Sequence, residues 1–189
     1  MTSNEKNASW WGYYNQYKML TDKLIREDRD LLDGVVTLPF LYCLSHTIEL
    51  GFKASIIDFT GNLPDKSKNH NLQQLFSFFK EELVKSMEKQ QLIELAKLNI
   101  LKVVDELQDL VELYKKLNPI HQSLKYPINN KSEILFNFHD GIDNKGVNIE
   151  QIIILYNKTN RLITWITSVL CDQYIVDDVM MDDIGDEYM

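Results

Sequence analysis

The chain is poor in the residues that interrupt secondary structure. Its 189 residues include only seven glycines and four prolines. A β-sandwich or barrel needs a turn residue every 8–12 positions or so, and that density is missing. Cysteine is scarcer still, with Cys43 and Cys171 alone. A disulfide-stapled framework is excluded, and both thiols fall inside apolar helical patterns, where reduced, buried cysteine is the expected state. No apolar run reaches the ~20 residues of a membrane-spanning helix. Residues 1–15 carry no apolar core of a secretory leader. A cytoplasmic protein without a membrane segment is the resulting expectation. Positive charge is also short: 20 Lys and Arg stand against 28 Asp and Glu, a net charge of −8. That balance disfavours broad, sequence-independent binding to nucleic acid but leaves room for a local basic groove.

Several chemistries lack their sequence marks. No Gly-x-x-x-x-Gly-Lys or Gly-x-Gly-x-x-Gly loop is present to cradle phosphates. No Gly-x-Ser-x-Gly elbow presents a nucleophile. The four histidines are scattered, and neither Cys-x-x-Cys nor His-x-x-x-His occurs, so neither a metal nor another cofactor is expected. A carboxylate-bridged di-metal bundle requires paired Glu-x-x-His motifs. Here His46 precedes Glu49, in the reverse order and only once.

What is present is helical periodicity. Trp10, Tyr13, Tyr14, Tyr17, Leu20, Leu24 and Ile25 recur at spacings of three and four, predicting a helix over about Asn7–Asp30 with that stripe in the core. Pro39 opens and Gly61 with Pro64 close a second helix, about Leu38–Phe59. A third begins near His70-Asn71-Leu72, with Asn71 as cap and Leu72, Leu75, Phe76, Phe79, Leu83 and Met87 on its apolar face. A fourth spans about Gln90–Leu117, with Asp105, Glu106 and Asp109 outward. Residues 118–148 hold no sustained period, and Ile134–Phe138 suits a short strand. Such long loops are often functional. Asn148 and Gln151 resemble a capping box for a last helix, about Ile149–Tyr174, with Ile152, Ile153, Tyr156, Asn160, Ile163, Ile166, Thr167 and Leu170 inward. The expectation is an all-α fold: a four-helix up-and-down bundle with one or two extra helices and a long irregular loop before the last one. Residues 1–176 form the domain. Residues 177–189 form an acidic tail whose Val179, Met180, Met181, Ile184 and Tyr188 alternate with acids and offer a docking strip for a partner protein.

The second helix holds the least ordinary pattern. At about 100° per residue, His46, Glu49 and Lys53 fall within roughly 60° of one another, on the side of Tyr42, Leu50 and Ile57. Burying ionisable groups is costly unless they are paired. Two readings stand open. In one the row is structural: Glu49 pairs with Lys53 at i,i+4, His46 bonds a loop carbonyl, and His70 helps start its helix. In the other the row is a site, with Glu49 tuning an imidazole and Lys53 or Lys125 holding an anion.

The segment Leu44-Ser45-His46-Thr47-Ile48-Glu49-Leu50-Gly51-Phe52-Lys53-Ala54 is followed by His70-Asn71-Leu72 and then Lys125-Tyr126-Pro127. In order and type these motifs resemble bacterial proteins of the HEPN superfamily, over roughly Trp10–Leu170. The candidate polar site is then His46, Glu49, Lys53, His70, Lys125 and Tyr126. Lys125 stands where the family pattern has arginine, which removes a bidentate guanidinium contact. The resemblance implies a helical bundle that pairs as a homodimer. It also implies one of two roles in toxin–antitoxin or phage-defence systems: binding a nucleotide, RNA or partner protein, or metal-independent RNA cleavage. The family's nuclease signature is Arg, four to six residues, then His. No histidine lies in the window after Arg26, Arg29 or Arg161, so catalysis is not carried over by the resemblance. Acid–base cleavage by His46 or His70 with Glu49 and Lys53, or from loop residues His121 and His139, is the chemical alternative. A scaffold that docks through its acidic tail is the third.

Overall fold

A computed structural model describes residues 3–27, 37–63, 71–89, 94–117, 131 and 149–171. Every element among them is a helix: α1 (Ser3–Glu27), α2 (Thr37–Thr60), α3 (Leu72–Lys89), α4 (Glu94–Leu117) and α5 (Ile149–Cys171). The all-α fold class read from the sequence is therefore the observed one. The predicted strand at Ile134–Phe138, the Asn148 cap and the acidic tail lie outside the described residues.

Local chemistry explains the boundaries. Gly61 adopts φ +75°, and its N–H returns to the Ile57 carbonyl at 2.7 Å. A left-handed residue just past the last turn closes a helix in this way, and glycine takes that conformation without a Cβ clash. At the start of α3, the Asn71 side chain accepts a hydrogen bond from the Gln74 N–H at 3.1 Å. The cap predicted at Asn71 is in place, one turn-end donor being satisfied by a side chain.

Helix α2 is the hub. It packs on α1, α3 and α5, while α4 closes the circuit against α3 and α5. Its residues from Thr47 to Ile57 are buried without a break, as expected of a helix with neighbours on several sides. Phe52, fully buried, lies 5.6 Å from Phe76 and 4.9 Å from Phe79, ring centre to ring centre. The apolar core joins α2 (Phe40, Leu44, Phe52), α3 (Phe79, Leu83), α4 (Val104, Leu107) and α5 (Ile152, Ile163). From α1, Tyr14 is fully buried, and Trp11, Leu24 and Ile25 pack against the margin of the core.

Paired contacts fix the helix directions. Lys80 meets Asp105 at 2.6 Å and Gln73 meets Glu112 at 3.3 Å, so α3 and α4 run antiparallel. Trp11 bonds Asp58 while Thr21 meets Thr47, so α1 and α2 are antiparallel as well. Between α2 and α5 the order is the same in both helices: Gly51 sits against Ile163 and Ser55 against Thr167. These two helices are parallel. Strict alternation, as a simple up-and-down reading expects, is thus not kept between α2 and α5.

The predicted aromatic stripe of α1 divides in two. Tyr14 is buried, but Tyr13 is 57% and Leu20 46% exposed. Both were expected in the core. The stripe is wider than the strip that α2 and α5 cover, and these two positions fall on its outer edge.

Gly51 marks the closest approach of three helices. A Cβ there would stand 2.9 Å from Ile163 Cδ1 and 3.0 Å from the Tyr14 ring. Gly51→Ala gains about 1 kcal/mol of helix propensity, yet overpacking costs about 1–3 kcal/mol. The Tyr14 ring is buried and anchored at its hydroxyl by Asn160, so overpacking should win. Urea denaturation should show a lower midpoint, and a variant as stable as the parent would mean that the ring yields.

Candidate functional site

The ionic row of α2 lies under α1. Lys53 donates to Glu49 Oε1 at 2.6 Å, and both side chains are almost wholly buried, at 4% and 7% exposure. One turn earlier, His46 Nδ1 stands 3.8 Å from Glu49 Oε2. The carboxylate thus faces a cation on one oxygen and an imidazole on the other. The Lys53 ammonium also sits 5.5 Å from the centre of the Trp10 ring of α1, a distance at which the ring quadrupole attracts a cation. Burial by itself pushes the Glu49 carboxyl up. The hydrogen-bonding and charge of His46 and Lys53 outweigh it and hold the group down at about 2. Glu49 is therefore ionised across the physiological range.

His46 is held by aromatic rings. Tyr42, one turn away on the same helix, stacks on it at 5.6 Å and 10°, and Tyr17 of α1 meets it edge-on at 4.6 Å and 83°. The loops that would supply the carbonyl expected as its partner lie outside the described residues. Its side chain keeps 22% exposure, the largest in the row. The pairing of Glu49 with Lys53 is as the i,i+4 spacing predicts. His70, Lys125 and Tyr126, the other members of the candidate set, lie outside the described residues, as do His121 and His139. The structure thus brings together the three α2 residues and adds Trp10, Tyr17 and Tyr42 to them.

A second polar assembly joins α1, α2 and α5. Tyr14 donates to Asn160 Oδ1 at 2.9 Å. Tyr156 donates to Asp22 Oδ1 at 3.1 Å, and Lys18 holds the other oxygen of that carboxylate at 2.6 Å. The hydroxyls of Thr21 and Thr47 are 3.2 Å apart, and those of Ser55 and Thr167 are 3.0 Å apart. Burial pushes the Tyr14 phenol up to about 12, helped by the charge of Asp22. Burial and the Asp22 carboxylate push Tyr156 up as well. Both phenols stay protonated and serve as donors, not as bases. Asn160 Nδ2 is buried with no partner among the described residues. Sequence reasoning placed Tyr14, Tyr156, Asn160 and Thr167 in the core but did not see them as linked. The available signal was polar residues on the inward positions of three different helices.

Among the described residues no group of three or more His, Cys, Asp or Glu side chains could hold a metal ion. No helix among them is long and apolar enough to cross a membrane. Cys43 is a free, half-buried thiol whose pKa burial raises, an unreactive setting. The Cys171 side chain lies outside the described set. Comparison with family models, with curated proteins and with solved structures gives no match.

Proposed function

We propose that this chain is a HEPN-like helical-bundle protein that acts by binding rather than by turnover. Its ligand is a nucleotide, a nucleic acid or a partner protein, and it works as a homodimer in a bacterial defence or toxin–antitoxin setting. The ordered motifs from His46 to Pro127 supply the family, and the missing Arg…His spacing removes its nuclease signature. The observation that carries the reading is the state of the row. Glu49 is matched by Lys53 at 2.6 Å and flanked by His46, and the pair is covered by α1. A carboxylate held at about 2 is a poor proton acceptor near neutral pH. A salt-bridged ammonium 4% exposed is likewise not presented to a substrate. The row is built to shape and stabilise a surface edged by Tyr17, Tyr42 and His46, whose rings suit stacking against a base or a flat side chain.

The test is a pair of assays on the purified protein. Incubation with single-stranded RNA at neutral pH, with and without EDTA, should leave the RNA intact, and calorimetry with ATP and a short oligonucleotide at low salt should give saturable heat for at least one of them. RNA turnover that disappears in His46→Ala would replace the binding reading with a divergent ribonuclease. Light scattering should return twice the mass of the 189-residue chain.

A further inference from the structure

The outer face of α1 gathers the large apolar side chains that the folded bundle leaves in water. Tyr13 is 57%, Met19 71% and Leu20 46% exposed, whereas Leu98 on α4 and Ile154 on α5 stand singly. At about 100° per residue, the three α1 residues share an arc of roughly 140° with Lys23 and Arg26. Both cations are exposed. Lys23 stands 3.6 Å from Glu27, and Arg26 donates to the Asp22 carbonyl at 3.3 Å, so both contacts stay within α1. The face is open while the helix stays in place, because the opposite side of α1 is anchored by Tyr14, buried against Gly51 and bonded to Asn160. Exposed apolar groups clustered beside charge mark a surface for docking.

We propose that residues 177–189 of the same chain dock along this face, with Met180 and Ile184 on Tyr13 and Leu20 and with Asp186 and Glu187 beside Lys23 and Arg26. Topology brings the segment to the right end. Tyr14 meets Asn160 and Asp22 meets Tyr156, so α1 and α5 are antiparallel. The end of α5 at Cys171 therefore lies toward the start of α1, and chain leaving it meets the face from the Tyr13 side. Length suffices: α1 advances about 15 Å from Ser3 to Tyr13, and the chain from Cys171 to Met180 can span about 30 Å. Spacing agrees as well, since Tyr13 and Leu20 lie about 10 Å apart along the helix and Met180 to Ile184 covers up to about 13 Å of extended chain. Lys23 and Arg26 follow within about 9 Å of Leu20 along the helix, close to where Asp186 and Glu187 come in turn. Charge selects this occupant: residues 177–189 hold six carboxylates and neither Lys nor Arg, and the far end of the face carries the two exposed cations. Tyr17 sits between Tyr13 and Leu20 on α1, so the docked segment borders the Tyr17–His46–Tyr42 edge. What that means for a ligand rests on the binding reading above, but the docking itself does not.

Carbodiimide crosslinking of the ligand-free full chain, read by mass spectrometry, tests the docking. The reagent joins an amine to a carboxylate in contact with it. Lys23 should be linked to Asp182, Asp183, Asp186 or Glu187, and a mixture of isotopically light and heavy chains should give no mixed-isotope link. The full-length variant Met180→Ser with Ile184→Ser keeps every charge and removes the apolar contacts. It should lower the yield of these links by about threefold or more. Hydroxyl-radical labelling of Met19 and Leu20 should rise in the same variant, while that of Leu98 on α4 stays constant. Lys23 joined to Glu27 and to no residue of the segment overturns the proposal. Mixed-isotope links overturn it in favour of a second copy as the occupant. Links of unchanged yield in Met180→Ser, Ile184→Ser also overturn it, since charge attraction alone would then account for them. Absence of ligand heat in calorimetry would refute the binding function and leave the crosslinks standing, so the two failures are separable.

Discussion

Lys53→Met is expected to destabilise the bundle by about 3–5 kcal/mol, the cost typical of removing one partner from a buried ion pair. The ammonium it deletes is the closest counter-charge to Glu49, at 2.6 Å, and both groups are nearly inaccessible to water. Methionine fills a similar volume, so the loss is electrostatic and not a cavity effect. The double variant Glu49→Leu, Lys53→Met removes both charges and should fall within ~1–2 kcal/mol of the parent, or exceed it, because the desolvation penalty disappears with them. A double-mutant cycle by urea denaturation reads the coupling between the two. Two single variants that each cost little would mean that solvent reaches the pair.

The same pair sets a pH dependence with a definite sign. The Glu49 carboxyl is lowered from an ordinary 4.5 to about 2 on folding. A group depressed in the folded state contributes stability that is fully present above its unfolded value and is lost as the pH falls through its folded one. The contribution of Glu49 is thus intact above about pH 5 and vanishes between roughly pH 4.5 and 2. In the double variant the acid limb of the stability curve should be shallower over that window. Identical acid limbs in parent and double variant would show that the carboxyl is not depressed.

Phe52→Ala is expected to cost about 3–5 kcal/mol, as for other fully buried aromatics truncated to alanine. For a chain of this size that is a fall in melting temperature of roughly 6–20 °C. Phe52 has no exposed surface and bridges α2 to Phe76 and Phe79 of α3. The control is Leu98→Ala on α4, where the side chain is 65% exposed and the change should stay within about 0.5 kcal/mol. Calorimetric melts of the two variants compare them directly. A Phe52→Ala protein that melts like Leu98→Ala would mean that the α2–α3 contact contributes little to the folded state.

The helices and most of their inward faces were legible in the chain, because hydrophobic period, caps and the Gly61 stop are local properties. The Glu49–Lys53 pair was legible for the same reason: four residues on one helix fix the distance before any packing occurs. The partners that turn the row into an assembly were not. Trp10 and Tyr17 lie some thirty to forty residues upstream, and a period of 3.6 places them on a stripe without saying which helix that stripe will meet. Tyr13 and Leu20 show the same gap from the other side, since only the width of the covering helices decides that they remain outside. The Asp22–Tyr156 and Tyr14–Asn160 bonds span more than a hundred residues, and no local pattern announces them.

By itself, then, the sequence determined an all-α chain, the approximate spans of its helices and the ionic row on α2. Only the tertiary structure decided that α2 runs parallel to α5, that α1 lies over the row with Tyr14 buried against Gly51 and Asn160, and that His46 is held by two tyrosines. The reason is physical: backbone hydrogen bonds and side-chain periodicity act within a few residues of one another, whereas burial, charge pairing across helices and aromatic stacking depend on which surfaces the folded chain brings face to face.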